Sequence, residues 1–122
     1  MHIRSIVLSF AVIVSGLLMA SCGGTDTGTN GDTLPACPTG GTDLTYETFG
    51  KQFFNDYCLN CHFTGSTVKG ALPYDSQAAI QDNAEEIYKR AGGTNTNMPQ
   101  SGTKPTSDER QQLAEWLSCG AE

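Results

Sequence analysis

Basic residues, histidine, methionine and long apolar runs are all scarce in this chain. Seven Lys plus Arg stand against 13 Asp plus Glu among 122 residues, a formal net charge of −6. A surface this acidic argues against nucleic acid as a partner; it serves either solubility or docking against a basic patch on another protein. The only histidines are His2 and His62, and the only methionines are Met1, Met19 and Met98. No stretch reaches the roughly 20 apolar residues of a comfortable membrane span. The longest run, Ile6 to Met19, is broken by Ser9, Ser15 and Gly16. No segment shows the period-two alternation of a strand, and there is no internal repeat, so an all-α fold is expected.

The start of the chain carries an address. His2 and Arg4 precede the short apolar run, and small residues Ala20 and Ser21 follow it, the pattern of a secretory signal over residues 1–21. Cys22 comes next, which resembles the bacterial lipoprotein signal and marks Cys22 for lipidation. Met19 departs from that pattern, and ordinary cleavage before an incidental cysteine is the alternative reading. Gly23 follows the cysteine, so sorting leans to the outer membrane over the inner. Removing residues 1–21 takes Arg4 and no acidic residue, so one of the 7 basic residues goes against an unchanged 13 acidic ones, leaving −7. Residues 22–36 are rich in Gly and Thr and poor in apolar side chains, a flexible tether with an r.m.s. reach of about 20 Å. The folded domain is then residues 37–122, small enough to need a staple or a cofactor.

Three helices are predicted within it. The first runs from Asp43 or Thr45 to Cys61, with Tyr46, Gly50, Phe53, Phe54, Tyr57, Cys58 and Cys61 on one face. The second runs from Ser76 to Ala91, with Asp75 as N-cap, Ile80, Ala84, Ile87, Tyr88 and Ala91 at helical spacing, and Gly92-Gly93 as the stop. The third opens on the capping box Thr106-Ser107-Asp108-Glu109, buries Leu113, Trp116 and Leu117, and ends at Gly120.

Cys58-Leu59-Asn60-Cys61-His62 reads CxxCH, the attachment site of a c-type haem. Two thiols at this spacing can each form a thioether to the macrocycle, and the adjoining histidine reaches the iron. Zinc is a competitor, but it wants a fourth ligand and normally a second ligand pair. A redox CxxC is another, but it wants a helix N-terminus, and this pair ends a helix. Once residues 1–21 are gone, His62 is the only histidine and Met98 the only methionine. If the iron is six-coordinate with a soft or imidazole distal ligand, the pair is His62 and Met98. Pro99 stiffens the chain just after Met98.

Gly50 to Cys58 with the motif that follows reads GxxxFxxxCxxCH, and in this it resembles the small class I cytochrome c family, monohaem c-type cytochromes. Met98-Pro99 is similar to that family's distal-ligand segment, and Leu113-Ala114-Glu115-Trp116-Leu117 to its aromatic C-terminal helix. The likeness covers roughly residues 43–119. It implies a small all-α fold of about three helices around one covalent haem c. It also implies a close crossing of first and last helices, with Gly50 permitting the approach and Phe54 packing on Trp116. The family tends to hold the ring N–H of the iron-bound histidine on a proline carbonyl, for which Pro73 is the best-placed candidate. The segment between His62 and Met98 is short for the family. Of the five cysteines, Cys37 and Cys119 remain once Cys22, Cys58 and Cys61 are assigned. If the terminal helices cross as the resemblance implies, these two become neighbours and candidates for a disulfide, which persists outside the bacterial cytoplasm.

The function expected is electron transfer, not catalysis. The chain would be a monomer, lipid-anchored on the periplasmic side of the envelope, exchanging electrons with periplasmic or membrane redox proteins. The alternatives are a haem-based small-ligand sensor and a non-catalytic haem subunit of a larger oxidoreductase complex.

Overall fold

The computed structural model describes Gly31 and residues 33–122, so the signal segment, Cys22 and most of the tether lie outside the described residues. Among the described residues the chain is helical, without strands. A π-helical turn, Tyr46–Gly50, runs directly into α1, Lys51–Tyr57; α2 is Gln77–Asp82, α3 Ala84–Ala91 and α4 Ser107–Ser118.

The first helix begins where Thr45 and Thr48 form a reciprocal cap, each side chain receiving the other's backbone N–H. Its expected end at Cys61 is corrected. The helix stops at Tyr57, Cys58 is its C-cap, and Cys61 and His62 are wrapped by turn bonds from their N–H groups to the Cys58 carbonyl.

The second expected helix is two. Asn83 leaves the helical region at φ −116°, ψ 17°, and its side-chain amide donates to the Ala79 carbonyl at 2.8 Å. Competition of this kind between a side chain and the backbone is why asparagine breaks helices. The chain therefore has four α-helices among the described residues where about three were expected. Asp75 is not the cap of α2; Ser76 is, accepting the Ala79 N–H. The Asp75 carboxylate instead receives the backbone N–H and hydroxyl of Thr64 at 2.8 and 3.1 Å, closing the loop that follows the motif.

α4 carries the expected capping box. Thr106 Oγ1 accepts the Glu109 N–H and the Glu109 carboxylate accepts the Thr106 N–H. Phe54, Ile80, Leu113, Trp116 and Leu117 are the most deeply buried side chains of a core shared by α1, the α2–α3 pair and α4. α1 and α4 meet at Gly50, whose backbone leaves room for the Trp116 ring. Phe54 packs on the same indole, ring centroids 6.4 Å apart. Cys37 and Cys119 are joined by a disulfide across 82 residues of chain, tying the segment before the first helix to the end of α4.

Candidate haem site

Cys58, Cys61, His62 and Met98 open onto one cavity of about 560 Å³. Its walls are largely apolar: Phe53, Phe54 and Tyr57 from α1, Ile87 and Ala91 from α3, and Val68, Leu72 and Tyr74 from the loop between α1 and α2. A volume in the range of ordinary cofactor pockets, apolar walls and a few convergent polar atoms are what a cofactor site requires.

The imidazole is held on two sides. Nδ1 of His62 lies 2.8 Å from the carbonyl oxygen of Leu72, and the ring stacks on Tyr74 at 4.7 Å between centroids and 14° between planes. The acceptor is thus Leu72 and not Pro73. Proline restricts the residue before it to extended backbone, and the carbonyl so directed is the one belonging to that residue. The Tyr74 N–H donates to the His62 carbonyl at 2.8 Å, and Phe54 meets the Tyr74 ring edge-on. An unbroken run of aromatic contacts therefore links Trp116, Phe54, Tyr74 and His62. With Nδ1 engaged, Nε2 is the nitrogen available to a metal.

Met98 also lines the cavity, packed against the edge of the core. Its backbone is fixed at both ends: its N–H donates to the Arg90 carbonyl at 2.8 Å, and its carbonyl receives Nη1 of Arg110 at 3.0 Å. Lys104 Nζ donates to the carbonyl of Pro99, tying down the next residue.

Cys58 and Cys61 are free thiols. Burial pushes the Cys58 thiol up to about 12, with the Arg110 cation working against that rise. A thiol so protected is the opposite of the acidic nucleophile of a redox pair. Among the described residues no three His, Cys, Asp or Glu side chains gather as a metal cage, the arrangement zinc requires. The donor set fits a haem instead: two thiols for the macrocycle, an imidazole and a thioether for the iron, and apolar walls for the ring.

Three features of the site were not evident from sequence: the burial of Arg110, the bond between Tyr57 and Glu109, and the place of Tyr74 in the cavity wall. Arg110 is 4% exposed, on the same face of α4 as Leu113, Ala114 and Leu117; an arginine three residues before that apolar stripe was the available signal. Tyr57 donates to Glu109 at 2.9 Å, fastening α1 to the start of α4. Glu109 accordingly sits below the usual carboxylate range, chiefly through the Thr106 N–H and hydroxyl and then Tyr57. Tyr74 left no periodic signal, because it lies in a loop.

Residues 47–117 match the family model described as cytochrome C oxidase, cbb3-type, subunit III, which spans more than half the chain. The chain belongs to this family of c-type cytochrome domains, and the family implies one covalently bound haem c. No curated protein and no solved structure matches the chain.

Proposed function

We propose that this chain is an electron carrier in which one haem c, bonded through Cys58 and Cys61, has its iron ligated by His62 and Met98. The observation that carries the reading is the opening of all four side chains onto one cavity, with the Nδ1 edge of His62 already engaged by Leu72. The haem supplies a one-electron iron couple. The chain supplies the rest. The Leu72 bond and the Tyr74 stack fix the imidazole plane, and a fixed ligand keeps the rearrangement that accompanies electron exchange small. A thioether is a weak donor to iron(III), so Met98 favours the reduced state and a higher potential. Phe53, Phe54 and Ile87 keep water from the ring. With His62 and Met98 both holding the iron, no position would be left open to a substrate, which is why the chain is read as a carrier and not an enzyme.

Sequence features support a location. The signal-like residues 1–21, Cys22 as lipid acceptor and the tether over 22–36 suggest a domain hung from the periplasmic face of the envelope, with the outer membrane favoured. Its acidic surface suits redox partners that present a basic docking patch. The name of the matched family favours a second reading, a haem subunit held within a larger oxidoreductase complex; isolation from native membranes as a free monomer counts against it.

The test is optical. Purified with haem attached, the ferrous protein at neutral pH is expected to be six-coordinate and inert to carbon monoxide. A five-coordinate ferrous spectrum with rapid carbon monoxide uptake would overturn the carrier reading in favour of a small-ligand sensor.

A further inference from the structure

We propose that Arg110 is the positioning residue of the distal loop and supplies a fixed positive charge that raises the potential of the iron. The inference rests on the reading of Met98 as ligand. The residues that turn the chain from α3 back towards α4 bring Met98 to the cavity, yet they contain little to pack. Arg110 substitutes for a core there. Its Nη1 lies 2.9 Å from the carbonyl of Ala91, 2.8 Å from that of Asn95 and 3.0 Å from that of Met98, gathering the last residue of α3 and the stretch of loop that leads to Met98 on one nitrogen. Its own carbonyl accepts the N–H of Gly93, a residue at φ +58° that only glycine adopts freely. One side chain thus closes the loop from inside.

The charge is the second half of the argument. Arg110 is buried, and among the described residues the ion pairs are Lys51 with Glu47 and Arg90 with Glu86, so no carboxylate of the described residues pairs with it. Buried charges are ordinarily paired. An arginine cannot shed its proton to escape that cost, so the cation persists, held 3.0 Å from the carbonyl of Met98, a residue of the cavity wall. Iron(III) carries one more positive charge than iron(II), so a fixed cation nearby disfavours the oxidised state. Removing it must lower the potential.

The experiment uses the haem-loaded full chain and two variants, Arg110→Gln and Arg110→Lys, read by potentiometric titration and by the far-red methionine–iron(III) band. Arg110→Gln is expected to shift the ferrous-to-ferric balance about tenfold towards ferric, a fall of about 59 mV for one electron, and to weaken the band. Arg110→Lys keeps the charge on a side chain one atom shorter, whose ammonium falls short of the three carbonyls that Nη1 reaches, so its potential should stay near wild type while its band weakens. Wild-type potential and band in Arg110→Gln would overturn the proposal, as would a potential in Arg110→Lys as low as in Arg110→Gln. Should Arg110→Gln fail to hold haem, Arg110→Lys decides alone: an undiminished band or a tenfold shift overturns it. A wild-type protein lacking the band overturns the Met98 assignment itself; a wild type with the band and discordant variants overturns only the role of Arg110.

Discussion

Gly50 and Trp116 occupy space that only one of them can fill. A Cβ on residue 50 would lie 2.3 Å from Cη2 and 2.6 Å from Cζ2 of Trp116, an indole with no exposed surface. The crossing of α1 over α4 therefore depends on a missing side chain. It matters for the site because α1 delivers Cys58 at its C-cap and α4 carries Arg110.

Gly50→Ala should destabilise the haem-loaded protein by about 1–3 kcal/mol through overpacking. Replacing Trp116 with leucine alone should also destabilise it, by loss of buried area. The two changes together should be less harmful than their sum, because the smaller side chain accepts the new methyl. Denaturant midpoints of the four proteins measure this. Strict additivity would contradict the contact.

The Cys37–Cys119 bridge closes 82 residues of chain, and a loop of that length stabilises by about 4 kcal/mol on the chain-entropy account. Cys119→Ser should lower stability by roughly that amount, within a measured range of about 2–5 kcal/mol for native bridges, while leaving the haem spectrum unchanged. Intact mass before and after reduction supplies the independent check: two free thiols at these positions in native protein would contradict the bridge.

Acid should loosen the ties around the site before it touches the core. Asp75 lies below its ordinary value because the Thr64 N–H and hydroxyl donate to the carboxylate, and Glu109 because the Thr106 N–H and hydroxyl, and then Tyr57, do the same. A carboxyl depressed in the folded state contributes stability that is fully present above its unfolded value, near 4 for both residue types. That contribution is lost as pH falls through the lower native value. Asp75 is exposed and Glu109 only partly buried, so the effect is modest. Asp75→Asn with Glu109→Gln should reduce the difference in denaturant midpoint between pH 7 and pH 3; an unchanged difference would contradict these assignments.

How much of this was legible follows from the range of each interaction. Thr106 and Glu109 bond to each other across one turn, so four letters revealed the start of α4. The spacing of Ile87, Tyr88 and Ala91 revealed a buried helix face in the same way. The break at Asn83 was hidden because the apolar period continues across it from Ile80 to Ile87, while the side-chain bond to Ala79 marks the end of α2. Asp75 looked like a cap because its true partner, Thr64, sits eleven residues back. Arg110 was the most concealed: a charged residue reads as surface, and two of its three carbonyl partners, Asn95 and Met98, belong to a loop with no pattern of its own. The CxxCH motif pointed to a cofactor; which backbone atoms restrain its histidine and the distal loop required the fold.

The central claim is that Met98 completes the coordination of the iron, and the far-red methionine–iron(III) band of the haem-loaded protein tests it most directly. The account predicts the band in wild type at neutral pH. In Met98→Ala it should be absent, with an iron that binds carbon monoxide and a potential lower than wild type. A Met98→Ala protein with an unchanged spectrum and no carbon monoxide binding would contradict the account.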